Sequence, residues 1–118
     1  MKRKSKYTVA YFMALFASTL KSQWTCGTLT NGERGRHKQC CALGFVGGEH
    51  ESPCSRVLSN LFNDNLGVCV TDVNDFVKGT LGNFHSVPGK HPRTRVLNGL
   101  RRIQAKLERA ARLDVATA

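Results

Sequence analysis

The segment from Pro92 to about Leu113 constrains the fold most. Val96, Leu97, Leu100, Ile103, Leu107 and Ala110 recur every three or four positions, the repeat that gathers apolar side chains on one face of an α-helix. Pro92 suits the first turn, where its missing N–H costs nothing. A helix with one such stripe needs other elements to cover it. Two more stretches offer the same period. After Ser52-Pro53, a cap followed by a first-turn proline, come Cys54, Val57, Leu58, Leu61 and Phe62. Asn63-Asp64-Asn65 with Gly67 then ends that helix. Near the start, Val9, Phe12, Met13, Phe16, Ala17 and Leu20 form a third stripe. With 118 residues there is room for one core only.

Between the first two helices the pattern changes. Trp24 to Thr30 runs into Asn31-Gly32, a pair that tolerates the positive φ of a tight hairpin turn. The return arm would be Glu33 to Gln39, with Trp24 anchoring the hairpin on the first helix. Ala42 to Gly48 reads as a short helical turn ended by its glycine pair. Val68-Cys69-Val70 reads as extended, Asp72 to Asp75 as a break, and Gly79 to Pro92 as mostly loop. The expected fold is therefore mainly α (α+β), with three principal helices and one β-hairpin in a single compact domain. A basic tail would occupy 1–6, the domain 7–113 and a second tail 114–118. Hydrophobic residues at 41% exclude wholesale disorder.

The N-terminus has two readings. Basic Met1 to Lys6 followed by apolar Tyr7 to Leu20 has the layout of a signal peptide over 1–20, which would make the chain secreted from about Lys21. The helical period is better explained by a structural helix in a cytoplasmic protein, and five cysteines are an odd number for an exported chain. The stretch falls short of the roughly 20 apolar residues of a membrane span, so no span is expected.

Several short features then occur in a fixed order. They are the apolar first helix, Trp24-x-x-Gly27, Cys41-Ala42-Leu43-Gly44, Asn74-Asp75, and a helix entered through Arg93-Thr94 and continuing Val96-Leu97-x-x-Leu100. This order resembles a group of uncharacterised small proteins of phages, prophages and actinobacteria, over about residues 7 to 113. Cys26 stands where that group commonly has glutamine, and Cys40 where it has an aromatic residue. The resemblance implies a soluble, intracellular, mainly helical domain and implies no activity.

Three chemistries are open to these residues. Zinc would draw on His37, Cys40, His50 and Cys54, which sit at finger-like spacings, with Cys41 and Cys26 nearby. The plainer alternative makes Cys41, Cys54 and Cys69 small core residues and needs no cofactor. Catalysis would make Cys41 a nucleophile at a helix start, with His85 or His91 as base and Asn74 or Asp75 orienting it. No phosphate loop, serine elbow or dinucleotide motif is present.

Binding is the third chemistry. Lys and Arg number 18 against 8 Asp and Glu, a net charge of +10. The excess lies at the two ends of the chain, with an acidic middle. Arg34, Arg36 and Lys38 alternate along the hairpin arm, and Arg95, Arg102, Lys106 and Arg109 share one flank of the closing helix, with Arg101 and Arg112 on the other. Such a basic face attracts nucleic acid, or an acidic host protein. The sequence reading is thus a small basic accessory protein, non-enzymatic, with a cysteine-dependent or zinc-supported activity around Cys41 as its alternative.

Overall fold

A computed structural model describes residues 7–25, 30–31, 39–47, 52–75 and 87–117. It is mainly helical. Among the described residues five α-helices follow one another: α1 (Val9–Ala17), α2 (Ala42–Gly47), α3 (Pro53–Leu66), α4 (Val70–Asp75) and α5 (Pro92–Thr117), with a 3-10 turn over Lys21–Gln23. The helix α5 is the spine, and α1, α3 and α4 all pack against it.

Helix boundaries follow local chemistry. Thr8 caps α1, its hydroxyl accepting from Tyr11 N at 3.1 Å. Ser52 caps α3 through Ser55 N at 3.0 Å, Pro53 opens it, and Gly67 closes it at φ 67°, a conformation only glycine adopts without strain. The ends of α3 match the expectations from sequence.

The core draws on all three predicted stripes, but not on their whole lengths. Val9, Phe12 and Phe16 of α1, Cys54, Leu58 and Phe62 of α3, and Val96, Leu97, Leu100 and Ile103 of α5 are buried. Trp24 is buried as well. Its ring meets Phe16 edge-on at 5.4 Å, lies 4.8 Å from Phe45, and its Nε1 donates to Thr19 Oγ1 at 2.8 Å. Trp24 is thus an anchor against α1, as expected. Ala17 and Leu20 are not core residues. The helix stops at Ala17, so Leu20 leaves the helical register and is 66% exposed. The α5 stripe likewise ends at Ile103, and Leu107 and Ala110 lie in solvent, because no described element reaches that far along the helix.

Two expectations need correction. The first is the β-hairpin. Thr30 pairs with Cys40 and Asn31 with Gln39, with a single parallel bridge between Trp24 and Cys40. A pairing of two residues is not a hairpin, and its register excludes the tight turn, because Asn31 faces Gln39 rather than turning at Gly32. The proposed return arm contains Gly35 and three cations at alternate positions, a composition that opposes strand pairing. The second is the count of three principal helices. Val70–Asp75, read as an extended stretch and a break, is the helix α4. Val70 and Val73 are buried there, so burial overrides the turn tendency of Asp72, Asn74 and Asp75. Among the described residues no helix is long and apolar enough to cross a membrane.

Candidate functional site

Helix α5 carries most of the described cations, and it uses them in two ways. In its first half they serve the fold. Arg93 Nε and Nη2 donate to Phe16 O and Ala17 O at 3.1 and 2.9 Å. Arg95 Nε and Nη2 donate to Val73 O and Asn74 O at 2.9 and 2.6 Å, and its Nη1 to Gly89 O at 3.2 Å. Farther along, Lys106 Nζ donates to Asn65 O at 2.7 Å. Apart from Gly89 O, which precedes α5, these acceptors lie in the last turns of α1, α4 and α3 respectively, where carbonyls have no partner within their own helix and the dipole is negative. Three cations of α5 thereby complete three helix ends. Arg95, expected on the binding face, is only 6% exposed. It takes no part in an outer surface, because the end of α4 lies over it.

Beyond Ile103 the helix becomes an arm. Every residue from 105 to 113 is exposed, and about 20 Å of helix, at 1.5 Å per residue, extends from Ala105 to the end of α5. Arg101, Arg102, Lys106, Arg109 and Arg112 fall within about 140° of arc at roughly 100° per residue. Arg102, Lys106 and Arg109 were predicted here. Arg101 and Arg112, assigned from sequence to the opposite flank, belong to the same arc. The helical period itself gives them this shared position, since it sets the whole apolar stripe on the opposite side of α5. Glu108 lies outside the arc. Arg34, Arg36 and Lys38 lie outside the described residues.

The cysteine readings receive a different answer. Cys41 immediately precedes α2, and its sulfur is positioned by the backbone N–H groups of Leu43 and Gly44. Ala42 N donates to Asn74 Oδ1 at 3.0 Å. The first-turn donors of α2 are therefore capped by a thiol and by a side chain from α4. Asn74 is fully buried, and its Nδ2 donates to Thr25 O at 2.9 Å and to Asp75 Oδ1 at 2.8 Å. Asn74 thus caps a helix that is distant from it in sequence. Burial pushes the Cys41 thiol up from its ordinary value, and the negative charge of Asp75 adds to that, against the opposing Gly44 and Leu43 bonds. A nucleophile needs the reverse shift. Asp75 does lie close enough to act on Cys41, but His91 is engaged elsewhere, its Nδ1 accepting from Arg93 N at 3.1 Å. His85 lies outside the described residues.

For zinc, Cys54 is buried in the core on α3 while Cys40 sits on the short pairing beside Trp24. His37 and His50 lie outside the described residues, and among those described no three His, Cys, Asp or Glu side chains gather as a metal site would need. Cys41 and Cys54 are core residues, as the plainer reading held, but Cys69 is exposed. It precedes α4, and its carbonyl accepts from Asp72 N and Val73 N at 3.1 and 3.2 Å. Comparison with known proteins identifies no relative: no family model, no curated protein and no solved structure matches this chain.

Proposed function

We propose that this protein binds nucleic acid through the phosphate backbone, without reading base sequence, and that the basic arm of α5 is the contact surface. The observation that carries the proposal is the single arc of Arg101, Arg102, Lys106, Arg109 and Arg112, all exposed, which runs along α5 into the stretch from 105 to 113 where every residue is exposed. Arginine forks and lysine ammonium groups neutralise phosphates and release condensed counterions, which supplies affinity for any sequence. The role is that of an accessory binder with no reaction of its own.

Duplex oligonucleotides of two unrelated sequences, titrated at rising salt, test this reading. Five phosphate contacts give a slope of log affinity against log salt of about −4 to −5. Replacing Arg109 and Arg112 together by Glu should weaken binding equally for both sequences and reduce the slope by about 2. An unchanged slope in that variant would remove the arm from the interface. A single acidic protein captured by the full chain and resistant to nuclease, with no affinity for either duplex, would replace nucleic acid by protein docking.

A further inference from the structure

His91 stands at the N-cap of α5, immediately before Pro92. Its Nδ1 accepts from Arg93 N at 3.1 Å, and its carbonyl accepts from Arg95 N at 2.9 Å. The first of these bonds needs a lone pair on Nδ1, so only the neutral ring can make it. The residue whose amide the ring holds is the residue that ties α1 to α5, because the Arg93 guanidinium grips the Phe16 and Ala17 carbonyls. One imidazole therefore stands behind both the start of α5 and its junction with α1.

The groups around the ring favour the neutral form. Lys21 faces it from the 3-10 turn, and Arg95 and Arg93 from α5 itself. The neighbouring helix ends contribute carbonyls, but those of α1 are taken by Arg93 and those of α4 by Arg95. The positive end of the α5 dipole acts in the same direction. Burial is the largest influence, followed by a hydrogen bond with the Lys21 backbone that opposes it. The net result holds His91 below its ordinary value of 6.5.

We propose that His91 is a pH-dependent latch on the α1–α5 junction. The neutral ring caps α5 and steadies Arg93 on the end of α1. The protonated ring loses the cap, places a third positive charge between Lys21 and Arg93, and releases the last turn of α1. In the unfolded chain this ring takes up its proton near pH 6.5, and in the folded chain only at lower pH. The latch is therefore fully closed above pH 6.5 and opens as pH falls through the lower folded value. This inference is independent of the arm and of what it binds.

Trp24, the one tryptophan of the chain, reports on this junction, since it packs on Phe16 and donates to Thr19. Its emission, followed in the full chain from neutral to mildly acidic pH, should shift to the red in a single titration. His91→Asn retains an oxygen that caps a helix but does not titrate, so its emission should stay flat. His91→Ala at neutral pH should emit as the parent chain does in acid. The same transition in His91→Asn would overturn the proposal. So would proton NMR of the unaltered chain showing the His91 ring titrating at or above 6.5, a measurement that holds even if a variant fails to fold.

Discussion

Asn74 shows how much a single side chain decides in this protein. It is fully buried and offers one oxygen and one amide to three partners on three segments, Ala42, Thr25 and Asp75. Removing it would leave the Ala42 N–H and the Thr25 carbonyl without these bonds, and an unmet buried group costs about 1–3 kcal/mol. Asn74→Ala should therefore lower stability by about 2–4 kcal/mol, read as a reduced urea midpoint at unchanged slope; a loss below about 0.5 kcal/mol would show these bonds to be dispensable. The cysteines separate at the same scale. Cys69 is exposed, whereas Cys41 and Cys54 are buried. Alkylation of the native chain should modify Cys69 promptly and Cys41 only at the rate of unfolding. Prompt labelling of Cys41 would restore the reactive thiol that its raised pKa argues against. The Asn-Asp pair and Cys41 were recognisable from sequence as polar and helix-opening residues. Their meeting was not, because 32 residues separate Asn74 from the amide it caps.

At the scale of elements, the α3–α5 contact depends on Gly99. A Cβ built there would lie 2.6 Å from Phe62 Cε2 and 3.0 Å from Cζ, and Phe62 is fully buried. Alanine is the better helix former by about 1 kcal/mol, but overpacking a filled core costs about 1–3 kcal/mol. Steric conflict outweighs propensity here, so Gly99→Ala should lower the thermal midpoint; a higher midpoint would mean that α3 moves aside without loss. Helices α3 and α5 were legible because their caps and stripes are local signals, namely Ser52-Pro53, Gly67 and Pro92. Helix α4 was not. Its six residues include Asp72, Asn74 and Asp75, and the segment is helical because Val70 and Val73 fit the core and Arg95 occupies the carbonyls at its end.

For the whole molecule, a positive charge of +10 has two separate uses. Arg93 and Arg95 complete the ends of α1 and α4, whereas Arg101, Arg102, Lys106, Arg109 and Arg112 are exposed, Lys106 also reaching the end of α3. The radius of gyration is 15.0 Å with extents of 54 × 36 × 22 Å, against roughly 13.5 Å for a compact chain of this length, as a projecting helix requires. This division sets the salt dependence expected for the proposed nucleic-acid contact. Only outward cations release counterions on binding, so the slope counts the arm and not the total charge of the chain. A slope near −8 would mean that cations outside the arm contribute, with the alternating Arg34, Arg36 and Lys38 as the first to replace.

Periodicity and capping residues alone determined that the chain is mainly helical, where α3 begins and ends, and that α5 starts at Pro92. These follow from interactions between residues a few positions apart, which any reader of the chain can align. The tertiary structure alone decided that α4 is a helix, that no tight hairpin turns at Asn31-Gly32, that Arg95 is internal while Arg101 and Arg112 join the outer arc, and that the stripe of α5 is covered only as far as Ile103. Each of these depends on which distant element lies over a given turn of helix, and a repeat of three or four residues is the same whether that turn is covered or bare.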